Sequence, residues 1–314
     1  MKISYQHKHK DFISPLKIGK KILDKRLYYL ILINDEIVSE VSPLEGLHKE
    51  TLEDALAWTK KFFNLETLNR LLLIKENVSS KDYDWSTPFL GLFQDRIAEF
   101  KLAPPSSIFS IEMALINYLF PKKIEMEKIC FLDFNQFANE KEGFIKIKIG
   151  RNSFEEDSLK LDKYIEQTNL ILRLDGNKLF TAEKLHNLLQ RYPVKRIHYI
   201  EDPFVNELEI TKYFSSECRR FHIAIDEGLQ QIDELMQNKA ITPYLKYAII
   251  KPNTNYGISG TIKVAQNLKE HGIISVLSSS FESEVGIYSI NKINVFFPRL
   301  FPEVPGLDTL KYFK

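Results

Sequence analysis

The run Phe144 to Gly150, FIKIKIG, carries Lys146 and Lys148 on alternate residues. On a strand both would project to one side, with Ile145, Ile147 and Ile149 on the other. Like charges held that close depress each other's pKa, and burial does the same, so one of the pair can be neutral near pH 7 and act as a base. Polar residues then close a series of apolar, β-rich runs: Asp175, Glu201, Asp226, Lys251 and Ser278. Counted from Lys148, the steps between them are 27, 26, 25, 25 and 27 residues. Three carboxylates offer hard oxygen ligands for Mg²⁺, with Mn²⁺ as an alternative, and leave positions for water and a substrate carboxylate. Positive charge on that carboxylate makes the neighbouring C–H bond more acidic, so the predicted first step is removal of a proton α to a carboxylate. The lysines would serve as acid, base or anion-stabilising cation.

Each residue alone has an ordinary reading. Asp175 or Asp226 could cap a helix, Lys146 and Lys148 could be solvated strand residues, and Glu201-Asp202-Pro203 could be a polar turn. Independent caps and turns, however, give no reason for the order Lys, Asp, Glu, Asp, Lys at near-equal spacing. His186, His198, His222 and His271 fall outside these positions and read as core or surface residues.

The elements needed to position the series follow from the segments between the runs. Glu155–Gln167, Thr181–Tyr192 and Ser259–His271 are amphipathic and long enough for one helix each. Strand and helix alternating every 25 to 30 residues or so predict a parallel α/β fold. In a closed barrel the C-terminal strand ends meet around one pocket. The expected fold is therefore a modified (β/α) barrel of the (β/α)7β kind over residues 122–314, with an α+β capping domain over 1–121. In the cap, Tyr28–Ile33 and Glu36–Val41 flank Asn34-Asp35 as a hairpin, and Thr51 caps a helix over Leu52–Phe63. Thr87 caps a tract over Pro88–Phe100, and Ser107 or Ser110 caps one running to Phe120. Ile129–Phe134 is the expected first barrel strand, only about ten residues before FIKIKIG and too close for a full crossover helix. A helix follows Ser278, Val295–Phe297 is the expected eighth strand, and Pro305 to Thr309 a turn arching over the pocket.

Whole-chain properties exclude several classes of partner. With 314 residues and a net charge of +1, the chain has no electrostatic case for nucleic acid or an acidic membrane. The longest apolar run, Leu27 to Ile33, is far short of a membrane helix, and the N-terminus lacks a signal-like apolar core. Cys130 and Cys218 have no ligand-like spacing, as suits a reducing cytoplasm. The expectation is a cytoplasmic protein whose partner is a small-molecule carboxylate, with no protein partner inferred.

At these residues the sequence resembles the enolase superfamily, and within it the o-succinylbenzoate synthases. The motifs are the Lys-x-Lys pair, Arg-Leu-Asp-x-Asn from Arg173 to Asn177, Ile-Glu-Asp-Pro from Ile200 to Pro203, Ile-Asp-Glu from Ile225 to Glu227 and Ile-Lys-Pro from Ile250 to Pro252. More particular to the synthases are Ser278 to Ser283, Pro305 to Thr309, and Ser-Pro-Leu-x-Gly from Ser42 to Gly46. The resemblance implies Asp175, Glu201 and Asp226 as metal ligands, supported by Lys146, Arg173, Asn177 and Glu227. It implies Lys148 as the base that takes the α proton and then helps the hydroxyl leave, and Lys251 as the stabilising cation. It places the succinyl end near Ser278, Ser280 and Gly306, and the cap loop around Leu44 to Leu47 over the barrel mouth. A departure is Gly176, where many relatives have Ala. Two other readings stay open: an N-acylamino acid racemase or dipeptide epimerase, which would use both lysines as acid and base, and a noncatalytic binding barrel.

Overall fold

The computed structural model describes residues 2–75, 97–133, 140–215, 220–226 and 245–314. The chain begins with an antiparallel sheet ordered β1 (Ile3–Ile18), β2 (Lys21–Ile33) and β3 (Glu36–Val41). Asn34 and Asp35 make the expected tight turn, both with positive φ (50° and 66°), the hairpin geometry that short polar side chains tolerate. Thr51 caps the helix Leu52–Phe62 through a reciprocal bond pair with Asp54. The helix Leu65–Lys75 and a turn at Ile97–Phe100 follow. The next helix, Pro105–Leu119, starts earlier than Ser107 and Ser110 would have it. Pro104 occupies its cap position and Pro105 its first turn, because proline's fixed φ and missing N–H suit a helix start. Ser107 is instead buried and donates to the Ala55 carbonyl (2.9 Å). Thr87 and Pro88 lie outside the described residues.

The second sheet is parallel and seven-stranded: β4 (Cys130–Leu132), β5 (Phe144–Lys148), β6 (Ile171–Asp175), β7 (Ile197–Glu201), β8 (Ile223–Ile225), β9 (Leu245–Ile250) and β10 (Ile274–Leu277), neighbours in that order. Despite the short connection, β4 pairs β5 in parallel. The crossover helices Phe154–Gln167, Ala182–Leu189 and Gly257–Glu270 lie on the three amphipathic segments, and Glu207–Ser215 is a further one after β7. Ser153 and Thr181 cap the first two through their side chains. Residues alternate along β5, with Ile145 and Ile147 fully buried in the main core while Lys146 and Lys148 face the interior of the barrel.

The eighth strand expected at Val295–Phe297 does not form. Val295 and Phe296 end the helix Glu284–Phe296, whose buried Ile287, Ile290 and Ile293 share one face with helical spacing. A short run of β-favouring apolar residues is ambiguous on its own, and here the helical period wins. The closing piece lies further on. Pro305 accepts from Cys130 N (2.9 Å) on β4, while Gly306 donates to Leu277 O (2.8 Å) and accepts from Ser279 N (3.2 Å) beside β10. Asp308 Oδ2 accepts from Leu132 N (2.9 Å). The turn expected to arch over the pocket is therefore an eighth stave, joining the two edges of the sheet. No described helix is long and apolar enough to cross a membrane.

Candidate active site

Register brings the spaced residues together. Lys148 pairs with Asp175 across β5 and β6, and Asp175 with Glu201 across β6 and β7. Asp226, Lys251 and Ser278 follow the last residues of β8, β9 and β10. All line one cavity of about 230 Å³, roofed by Lys17, Ile18, Gly19, Leu44 and Leu47 of the N-terminal elements.

Lys146 Nζ sits between two carboxylates, 2.6 Å from Glu201 Oε1 and 3.0 Å from Asp175 Oδ2. Lys148 Nζ lies 3.5 Å from Asp175 Oδ2, and Lys251 pairs with Asp226. The two members of the Lys-x-Lys pair diverge. Burial lowers the pKa of Lys146, but Asp175, Glu201 and Asp226 together outweigh it and hold the ammonium well above its usual value. Lys148 is lowered, by burial first, with Lys146 and Arg151 adding to the effect against the pull of Asp175. Its side chain is 47 % exposed at the mouth of the cavity, open enough to meet a substrate. For Lys251, burial is overcome chiefly by Asp226, so it stays a cation. Lys148 is therefore the member of the set best suited to accept a proton.

The carboxylates differ too. Burial would raise Asp175, but Lys146 and Lys148 bring it below its usual range. Burial and the neighbouring Asp175 and Asp226 push Glu201 up to about 8, against the pull of Lys146. Among the described residues no three acidic, His or Cys side chains are gathered at metal-ligand distance, the Lys146 ammonium lying between two of the carboxylates. Buried oxygens that already hold one cation and crowd each other suit a further hard cation, and this donor set fits Mg²⁺.

The supporting residues have separate places. Asn177 donates to Asp175 Oδ1 through Nδ2 (2.7 Å) and backbone N (3.3 Å), orienting that carboxylate, and its Oδ1 accepts from Arg151 (2.5 Å). Gly176 packs so close to Pro203 that an added Cβ would lie 2.6 Å from its Cα. Arg173 stands two residues below Asp175, stacked on Phe144 and Tyr199, and donates to Val304 O (2.6 Å) and Glu303 (3.2 Å). It fastens the closing stave rather than the carboxylate row. Ser278 Oγ donates to Gly306 O (3.3 Å) at the rim, whereas the Ser280 hydroxyl donates to Glu282. Glu227 and Cys218 lie outside the described residues. The sequence reading missed the roof residues Lys17, Ile18 and Gly19 and the rim residue Tyr312, while Phe281 and Thr309 fall within its tracts Ser278 to Ser283 and Pro305 to Thr309 without having been singled out. Only the Gly19-Lys20 turn between two strand-like runs signalled a loop there.

Comparisons with known proteins bear on the fold and on the sequence. Solved structures share the fold over nearly the whole chain. A dipeptide epimerase from Enterococcus faecalis V583, complexed with Mg and dipeptide L-Leu-L-Tyr, superposes with a TM-score of 0.72 at 15 % identity, covering 99 % of this chain and 91 % of that one. The o-succinylbenzoate synthase from Thermosynechococcus elongatus BP-1, complexed with Mg in the active site, gives 0.68 at 17 % identity, covering 100 % and 95 %. The chain thus has the fold that these solved structures share. By sequence, the chain is similar to proteins named o-succinylbenzoate synthase: 28 % identical to one from Pasteurella multocida over 95 % of this chain and 86 % of that protein, and 26 % identical to one from Haemophilus influenzae over 87 % and 79 %. No family model matches.

Proposed function

We propose that this chain is an o-succinylbenzoate synthase, a Mg²⁺-dependent hydro-lyase of menaquinone biosynthesis. It would dehydrate 2-succinyl-6-hydroxy-2,4-cyclohexadiene-1-carboxylate to o-succinylbenzoate in the cytoplasm. Residues 1–121 form the cap and 122–314 the catalytic barrel in this reading. The observation that carries it is the pairing of a lysine with lowered pKa, Lys148, with the carboxylate row Asp175, Glu201 and Asp226 in one roofed cavity. The similarity to synthases along most of the chain supports the choice of substrate.

Asp175, Glu201 and Asp226 would hold Mg²⁺, with Mn²⁺ as a substitute. When bound, the metal supplies positive charge at the substrate carboxylate and so acidifies the adjacent C–H bond. Neutral Lys148 takes the proton from C1, and Lys251, kept cationic by Asp226, offsets the anionic charge that results. Lys148 then returns its proton to the departing C6 hydroxyl, which leaves as water while the C1–C6 double bond completes the aromatic ring. Ser278 and Gly306 at the rim face the succinyl arm, and Leu44 and Leu47 exclude water from the mouth. A racemase needs both lysines to exchange roles as acid and base, and the Lys251–Asp226 pair weighs against a neutral Lys251.

Parallel assays with the cyclohexadiene carboxylate, by absorbance of the aromatic product, and with N-succinylamino acids, by optical rotation, test the assignment. Mg²⁺-dependent turnover of the first is expected. Racemisation without dehydration would replace the reading with the epimerase one.

A further inference from the structure

Arg26 is a lone arginine in the exposed half of a hairpin strand, yet it is only 3 % exposed. Its guanidinium donates to three carbonyls on two loops. Nη1 and Nη2 reach Pro43 and Ser42, at the root of the cap loop that carries Leu44 and Leu47 over the cavity. Nε reaches Phe281 O (3.1 Å), in the barrel loop that follows β10. Phe281 has φ 61°, a left-handed conformation that costs a non-glycine residue energy and persists only where surroundings enforce it. Its ring lines the cavity and packs edge-on against Phe12 of the cap (5.9 Å) and Tyr312 of the C-terminal segment (5.2 Å).

Two buried carboxylates complete the junction. Glu40 of the cap accepts from Ser42 Oγ (2.6 Å), Ser283 N (3.1 Å) and Gly286 N (3.3 Å), and Glu282 accepts from Ser280 N (2.7 Å). Both lie near enough to act on the guanidinium electrostatically, so the buried charge is compensated. Asn253, two residues after Lys251, adds a donor to Ser42 O (2.9 Å). The planar fork of arginine can satisfy carbonyls on two loops at once, which a lysine ammonium would do with poorer geometry.

From these contacts we propose that Arg26 is a positioning residue for the substrate pocket, clamping the cap loop at Ser42–Leu47 to the barrel loop at Ser278–Glu282 so that Phe281 and Leu44 present one continuous wall. This deepens the reading above and rests on it for its kinetic consequence. Because the clamp touches neither Lys148 nor the metal ligands, its loss raises KM and spares kcat.

The test compares Arg26→Gln and Arg26→Lys with Glu112→Gln. Glu112 is a second buried cap carboxylate, bonded to Ser259 N (3.1 Å) at the start of the helix Gly257–Glu270 and outside the cavity lining. It therefore reports loss of a cap–barrel contact that does not involve the two loops. Amide hydrogen exchange and steady-state kinetics are read on each variant. For Arg26→Gln the expected result is faster exchange in both loops together and a KM raised about tenfold or more, with kcat within about threefold. These values follow from losing one or two charge-assisted buried bonds. Arg26→Lys should fall between Arg26→Gln and wild type, while Glu112→Gln lowers Tm without changing KM or loop exchange. Unchanged exchange in either loop, or unchanged KM despite faster exchange, overturns the clamp. Absence of dehydration in the wild type overturns the synthase reading instead, and the exchange result still decides the clamp.

Discussion

Lys148, Asp175 and Glu201 stand side by side because three neighbouring strands share a register, and each residue needs only its own strand to be placed. Arg26 and Phe281, in contrast, are 255 residues apart and meet through one guanidinium on one carbonyl. The first region is regular, repeated and charged, while the second is irregular and buried, with each contact used once. The proposed chemistry belongs to the first and the proposed clamp to the second, so substitutions in the two should fail in different ways.

The sharpest contrast is expected at Lys251. Lys251→Ala removes the cation proposed to offset anionic charge and should lower kcat by about 10²–10³-fold. It also leaves buried Asp226 without its partner, so some loss of Tm is expected, and a lower Tm with kcat kept within a few-fold would mean that the strand-end row is structural, like the junction. Next comes Asp226→Asn. Mg²⁺ that binds only the folded state should stabilise the wild type by about 2.7 kcal/mol at a hundredfold excess over Kd, and a thermal scan of the variant should show little of that gain.

On the cap side, Gly46 has φ 86°, and an added Cβ would stand 2.6 Å from Ile18 O in the neighbouring roof turn. Gly46→Ala should therefore cost about 1–2 kcal/mol in chemical denaturation, from the left-handed backbone alone. A neutral outcome would show that the two roof loops do not depend on their close approach. The smallest effect expected is a pH dependence. His48 Nδ1 accepts from Leu44 N (2.8 Å), and Nε2 is 3.1 Å from Asn253 O, an arrangement that suits a neutral ring. Burial lowers its pKa below the ordinary 6.5. The unfolded chain then takes up more protons as pH falls below about 6.5, so His48 makes the fold less stable toward acid. His48→Gln should flatten that slope in Tm measured from pH 7 to 5, and an unchanged slope would remove His48 from the account.

The legibility of the two regions in the sequence follows the same division. Lys148, Asp175, Glu201, Asp226 and Lys251 could be read because strand ends recur and polar residues at strand ends stand out against apolar runs. The eighth stave could not be read, since Pro305-Gly306 carries turn residues and closes the barrel through backbone bonds that leave no pattern of side chains. Val295–Phe297 looked like a strand because three apolar residues are too few to separate a period of two from one of 3.6. Arg26 gave no signal at all. Its burial depends on Pro43 and Phe281 arriving from elsewhere, and in the sequence it is one more basic residue in a lysine-rich hairpin. Lys146 and Lys148 were legible as a pair, but which of them gives up its proton depends on the carboxylates that face each ammonium, and those are set by the fold.

The central claim is that Lys148 is the base of a Mg²⁺-dependent dehydration. The measurement that meets it most directly follows aromatic product from the cyclohexadiene carboxylate with wild type and Lys148→Ala, with saturating Mg²⁺ and with excess EDTA, alongside the Mg²⁺-induced rise in Tm for both proteins. The account predicts turnover by the wild type that EDTA abolishes, and a variant slowed by about 10²–10⁴-fold that still gains stability from the metal. A variant that binds Mg²⁺ and keeps its rate within a few-fold would contradict it.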